Sequence, residues 1–484
     1  KSVMTDATSA RWTICCGDNH NVSVVGLSRS DIGQVGDSLM ATTTSTRRAF
    51  LQAGGVTLGA FANSRMALSE TTAVTQNVPA KRAIVLFLQG GCSQLDTWDM
   101  KPGAPAEYRG EFDSIATATP GYRLCEHMPM LAARTNQFNV LRSVHHGTPS
   151  HEAAIHWVLT GYDYPGANTT TKNRNDKPSV GSFVAKVKGP SRPGLPAYFC
   201  VPDKGQLGDR VRYADSHFLG MAYAPFESGP IPVDAESPYR VPQPLVMFRD
   251  MPLTRFSDRQ GLLQQLDNFK RDADATGVMT GMDQFRRTAL EMINHPVTQA
   301  AIDLSKETPE TRQRFGSNKF GQRVLMARRL AEAGVPFTLV NLADNQDWDT
   351  HTDNFNAMKT RLLPLLDRAV ATLLDELAER GLLDSTLVAV VSEFGRTPKI
   401  NNNVGRDHWS DVFSVMLTGG GLKTGQVLGT SNARAEIPQD RPIHYNDVLA
   451  TIYRQLGVET DRVFMHEGRP VPILYQGTPI PELI

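Results

Sequence analysis

The chain is poor in cysteine: Cys15, Cys16, Cys92, Cys125 and Cys200 are the five in 484 residues, at irregular spacing. That excludes a disulfide framework and a thiolate zinc site as organising features. Net charge is also missing, since Lys plus Arg and Asp plus Glu number 50 each. Without a basic excess there is no electrostatic case for nucleic acid or an anionic membrane as the main partner. No segment approaches 18 consecutive apolar residues, so no membrane span is expected. Internal repeats and low-complexity tracts are absent too. What is present is an ordinary globular balance, 40% apolar and 21% charged. The length suits a few average domains or one large α/β enzyme domain.

Residues 1–39 carry no helical or strand period, whereas Met40 stands directly before an export-type signal. We therefore expect 1–39 to lie outside the native protein or to be disordered. The segment 40–79 reads as a twin-arginine signal peptide and linker. Arg47 and Arg48 are followed by Phe50 and Leu51, a mildly apolar run from Ala53 to Ala62, and small residues near Ala67. The twin-arginine translocase is then a partner during export, and the destination is periplasmic or extracellular.

Beyond residue 80, short apolar runs alternate with helical patterns. Lys81 to Leu88 reads as a first, central strand, Phe138 to Arg142 as a second, Pro336 to Leu342 as a third. Leu387 to Val391 is unbroken and β-branched, as in strands covered on both faces. A long amphipathic helix is expected over 354–380, and a helix from Pro149 and Ser150 to Gly161. Residues 162–260, rich in Pro, Gly and Tyr, read as an irregular insertion or cap within a single domain over 80–484.

Ionisable residues cluster where these strands stop. Asp96 follows the first, after two glycines that let the backbone turn sharply. His145, His146, His151 and His156 follow the second, Asp347, Asp349 and His351 the third, and Glu393, Arg396, Arg406, Asp407 and His408 the run at Leu387. Open α/β sheets bind ligands beyond the carboxyl ends of their strands. Taken alone, Glu393 would pair with Arg396 and His408 would cap a turn. Convergence of four such ends instead points to divalent metal held by oxygen and imidazole. Zinc suits that set first, with manganese, magnesium, calcium or iron as alternatives, and two metals could share it.

The motifs GGCSQLDTWDMKPGAPAEYRGEF, WVLTG, RFGSNKFGQRVLMARRLAEAG, DWDTHTDNF, RGLLDSTLVAVVSEFGRTPKINNNVGRDHW and GRPVPILYQGTPI make the chain resemble the twin-arginine-exported domain-of-unknown-function family 1501. That family is placed in the alkaline phosphatase and sulfatase superfamily. The resemblance implies an α/β fold, a doubly wound, mostly parallel sheet with helices on both faces and a metal centre at its strand ends. By the superfamily pattern Asp96, Asp349, His351, Glu393 and His408 are metal ligands, and the Asp-x-x-x-His spacing also admits Asp347. The superfamily's nucleophilic Ser, Thr or Cys falls near 151, where this chain has His151, with Ser150 adjacent and Thr148 close by. His151, Ser150, Thr148 and Arg396 are thus the candidate catalytic residues, and Glu393 stands where the superfamily has Asp. The implied activity is metal-dependent hydrolysis of phosphate or sulfate esters of a small molecule or glycan. The alternative is a non-catalytic fold that binds glycans or proteins outside the cytoplasm.

Overall fold

The computed structural model describes residues 80–163, 177–203, 213–239 and 295–484. The expectations for 1–39 and for the signal with Arg47 and Arg48 lie outside the described residues.

Among the described residues nine strands form one sheet. In chain order they are β1 Arg82–Phe87, β2 Asn139–His145, β3 Tyr198–Val201, β4 Phe226–Glu227, β5 Phe337–Asn341, β6 Thr386–Val391, β7 Phe413–Gly419, β8 Val427–Leu428 and β9 Ile443–His444. Across the sheet the order is β8, β2, β7, β6, β1, β5, β3, β4, with β9 also on β2. Every pairing is parallel except those of β7, which runs antiparallel to β2 and β6. The sheet is thus mixed and mostly parallel, and β1 is central as expected. Because β7 is reversed, its start meets the carboxyl ends of its neighbours.

Side chains alternate faces along a strand, and both faces are covered. Ile84 and Leu86 of β1 enter one core with helices Lys319–Ala333 and Leu363–Glu379. Ala83, Val85 and Phe87 enter the other with His151–Thr160, Val180–Lys188 and Tyr445–Gln455. We label these helices in chain order α1 (His151–Thr160), α2 (Val180–Lys188), α3 (Lys319–Ala333), α4 (Leu363–Glu379) and α5 (Tyr445–Gln455). Burial on both faces is why the strands read as continuous apolar runs rather than alternating ones.

Local chemistry fixes the helix ends. Asn318 caps α3 by accepting the Gly321 N–H at 2.8 Å, and Gly334, at φ +100°, ends it in the left-handed region. The helix expected over 354–380 arrives in three parts: Asn354–Ala357, a π turn Met358–Leu362, and α4. Pro364 has no N–H to donate and its ring crowds the preceding turn, so the helix widens upstream of it.

The stretch 162–260 differs from the expected cap in its described parts. It contributes α2 and two strands of the sheet, β3 and β4. Those strands have only four and two residues, too short to show a period between prolines.

Candidate metal centre

The loops leaving β1, β5 and β6 interlock at one sheet edge. Gly90, at φ +123°, lies so near the β5 loop that a Cβ there would sit 2.4 Å from the Asp349 nitrogen. Only glycine fits. Its N–H donates to Glu393 Oε1 at 2.7 Å. Arg396 ties the same loops together: fully buried, it donates from Nε to the Gly91 carbonyl at 2.9 Å, from Nη1 to the Arg406 carbonyl at 3.0 Å, and from Nη2 to the Gly90 carbonyl and the Asp349 carboxylate.

Asp349 is the centre of the arrangement. Its Oδ2 lies 3.3 Å from His151 Nε2, and its Oδ1 lies 3.1 Å from both His408 Nε2 and His351 Nε2. The two latter nitrogens are 3.0 Å apart. Each ring is turned by its other nitrogen. His151 Nδ1 meets Glu393 Oε1 at 3.0 Å, His351 Nδ1 meets Asp407 Oδ1 at 2.6 Å, and His408 Nδ1 donates to the Pro149 carbonyl at 2.8 Å. A carbonyl or carboxylate can only accept, so all three rings hold Nδ1–H and, when neutral, aim Nε2 lone pairs at the Asp349 carboxylate. His151 Nε2 is buried without a well-formed hydrogen bond.

Lone pairs facing a carboxylate at such distances repel unless a proton or a metal ion lies among them. His151, Asp349 and His408 offer atoms within 4.8 Å of one another, a spacing that fits a metal ion. The ligand–partner pattern, imidazole Nε2 inward and Nδ1–H on an oxygen, is that of metal-binding histidines. The electrostatics show a strongly negative site that a proton fills when no metal does, and that a metal would enter by displacing it. Burial disfavours charge on His151, yet the hydrogen bonds and charges of Asp349 and Glu393 outweigh it and raise its pKa to about 9. Burial likewise opposes the Asp349 carboxylate, but hydrogen bonds from His151 and His408 and the charge of Arg396 hold it well below the usual range.

The other candidates are placed differently. Asp96 stands apart, fully buried and held by Arg406, by the Ser93 hydroxyl at 2.6 Å and by the Asn354 amide at 3.0 Å. Asp347 turns away, accepting the Asp344 N–H at 2.7 Å and pairing with Arg361 at 2.9 Å. Glu393 sits behind His151 and is occupied by it, by the Gly90 N–H and by the Ser392 hydroxyl at 3.3 Å. Arg396 pairs with Asp349, not with Glu393, and points into the protein. His408 lies in a two-residue ladder with Arg396 rather than in a turn cap. Ser150 occupies the N-cap position of α1, yet its side chain makes no capping bond. Thr148 shapes the loop through its N–H, which His146 Nδ1 accepts at 3.2 Å.

Of the four clustered histidines only His151 reaches the centre. His146 Nε2 donates to the Glu393 carbonyl at 2.5 Å, and burial pushes its pKa down to about 4. His156 is a core residue whose Nδ1 donates to the Tyr162 carbonyl at 2.9 Å, and His145 packs against His444. Sequence reasoning missed the parts played by Asp407, Arg406, Asn354 and the Pro149 carbonyl. For Asp407 a signal existed, its place beside His408; for the rest only the tertiary contacts speak.

The family model described as "Protein of unknown function (DUF1501)" matches residues 80–484. No curated protein matches by sequence. Comparison with solved structures gives matches at low identity. A TAB5 alkaline phosphatase mutant with magnesium bound is 12% identical over 79% of this chain and 99% of its own, TM-score 0.38. The PsFucS1 sulfatase from Pseudoalteromonas sp. is 13% identical over 78% and 68%, TM-score 0.35. The phosphonate monoester hydrolase SpPMH from Silicibacter pomeroyi is 12% identical over 78% and 74%, TM-score 0.34.

Proposed function

The chain belongs to the DUF1501 family, and we propose that it is a metal-dependent hydrolase of phosphate or sulfate esters. The observation that carries this reading is the convergence of three imidazole Nε2 atoms on the Asp349 carboxylate, each imidazole fixed from behind by an oxygen. A pure binding surface has no need to store desolvated ionisable groups in this way.

The donor set fits a divalent metal, with His151, His351, His408 and Asp349 as the residues that would hold it. Three imidazoles and one carboxylate suit zinc, then iron or manganese, and suit magnesium and calcium least. Held there, such a metal would polarise an ester oxygen and lower the pKa of a water molecule to about 7.

The chain's own residues supply the rest. Glu393, Asp407 and the Pro149 carbonyl keep the three rings in one tautomer. Arg396 holds Asp349 in place and its charge keeps that carboxylate ionised. His151 begins α1, and because Ser150 makes no capping bond, the first N–H groups of that helix stay available to an anionic ester. The exposed Ser150 hydroxyl is not hydrogen-bonded to the ligand group, which argues against it as an activated nucleophile. We accordingly infer direct attack by water, with His151 essential and Ser150 dispensable. The signal at Arg47 and Arg48 supports an extracytoplasmic site of action.

The test is metal analysis of the full chain together with turnover of p-nitrophenyl phosphate and p-nitrophenyl sulfate after zinc loading. A chain that holds zinc stoichiometrically and hydrolyses neither ester would sink the proposal and leave the non-catalytic reading.

A further inference from the structure

A cleft opens beside the candidate centre, walled by Tyr108 on one side and by Trp409 and the segment 397–402 on the other. It adjoins the centre through Asp407, which lines it and also meets His351 Nδ1 at 2.6 Å. Its walls are fixed before any ligand arrives. Arg406 donates from Nη2 to the Tyr108 carbonyl at 2.8 Å and from Nη1 to the Thr397 carbonyl at 3.1 Å, so one buried guanidinium spans both sides. The Ile400 N–H donates across the cleft floor to the Glu107 carbonyl at 2.8 Å. Preformed walls spare a ligand the entropy of ordering them.

The groups presented are of two kinds. The Trp409 ring N–H is consumed by the Glu436 carbonyl at 2.7 Å, which leaves the ring only its apolar surface to offer. Tyr108 carries the Arg434 guanidinium 4.9 Å from its ring centroid, so one aromatic face is already covered by a cation. Between them Lys399 and Asn402 are exposed, and neither side chain has an ion-pair or hydrogen-bond partner among the described residues. Apolar ring surface beside free hydrogen-bonding side chains suits a sugar ring, whose C–H face packs on an aromatic while its hydroxyls bond at the edge. Two carboxylates also line the cleft, but Asp407 is engaged by His351 and Glu436 by Asn432, so the unpartnered ammonium of Lys399 is the charge left to meet a negative group on that sugar.

We propose that this cleft is the subsite for a sugar adjoining the esterified one, so that the substrate class is a sulfated or phosphorylated oligosaccharide. The inference rests on the hydrolase reading for its substrate, but not for its binding.

Binding is therefore measured directly, by calorimetry on the full chain. The probes are sulfated galactose oligomers, sulfated hexosamine–uronate oligomers, phosphorylated mannose oligomers, their uncharged counterparts, and adenosine monophosphate. At least one anionic oligosaccharide should bind. Tyr108→Ala and Lys399→Ala should each weaken it about tenfold or more, equal to about 1.4 kcal/mol, with Tyr108→Phe restoring affinity and metal content retained throughout. Failure of every oligosaccharide to bind overturns the inference, as does equal binding by the variants or a preference for the nucleotide. Aryl-ester turnover by the wild-type chain in that event would leave the hydrolase reading standing. Tight oligosaccharide binding that the variants lose, without any turnover, would uphold the subsite and overturn the hydrolase reading instead.

Discussion

Asp96 and Arg406 are joined by two hydrogen bonds, Nε to Oδ2 at 2.8 Å and Nη2 to Oδ1 at 3.0 Å, where neither side chain reaches solvent. The Asp96 charge is thus already balanced by a guanidinium, with Ser93 and Asn354 also bonded to Oδ2, and its partner carries the walls of the cleft. Asp96→Ala would strand the Arg406 charge, which costs about 3–5 kcal/mol. Asp96→Asn keeps one acceptor and should fold with full metal content. Urea unfolding and elemental analysis of both variants check this; loss of metal from a folded Asn variant would return Asp96 to the ligand set.

Metal content should depend on His351 and His408. Alanine at either should lower zinc occupancy and the double variant should lack zinc. Asp407→Asn, which removes the charge behind His351, should weaken zinc affinity by about 10–100-fold. Zinc titration with a chromophoric chelator reads all of these, and full occupancy in the double variant would exclude both histidines.

Turnover should separate His151 from its neighbour. Ser150→Ala should keep aryl-ester hydrolysis within about tenfold, a barrier change of about 1.4 kcal/mol, and because Ser150 makes no capping bond it should cost little stability. His151→Ala should abolish hydrolysis. A Ser150→Ala chain that is folded, metallated and inactive would establish a serine nucleophile instead.

Stability should fall as pH rises through a window set by Asp367. Burial raises its pKa to about 6, although the Met130 and Leu131 N–H groups bond to it. The folded state then keeps a proton that the unfolded chain loses near pH 4, so this stabilisation is complete below about 4 and gone above about 6. Asp367→Asn should flatten the slope, changing the wild-type minus variant difference by up to about 3 kcal/mol between those limits. Urea midpoints at pH 4, 5 and 6.5 measure it; parallel curves would assign the slope elsewhere.

Export should require the paired arginines. Replacing Arg47 and Arg48 with Lys should hold the protein in the cytoplasm of a homologous host, while a chain starting at Met40 should be exported normally. Fractionation followed by blotting decides, and unimpaired export of the Lys–Lys variant would refute the twin-arginine assignment.

Much of this protein is settled by local sequence. The strands at 82–87, 337–341 and 386–391 announce themselves because a segment buried on both faces is apolar at most of its positions. Their carboxyl ends are marked equally well, since glycines and ionisable residues cannot continue a buried strand. Asp349, His351, His408 and His151 could therefore be named as a group, and DUF1501 membership spans the same residues.

Which of several like residues enters the centre is decided only by the fold. Asp96, Asp347 and Asp349 are chemically identical, but Asp96 meets Arg406, Asp347 meets Arg361, and Asp349 meets three imidazoles. Glu393 has one methylene more than an aspartate and lies behind His151, where it orients the ring. Asp96 and Glu393 take their roles from partners hundreds of residues away in the chain, Arg406 by 310 and His151 by 242, and no local pattern encodes such a distance. Sequence determines which chemistry arrives at the sheet edge; the packing of loops around Gly90, Arg396 and Arg406 determines which atoms of it face one another.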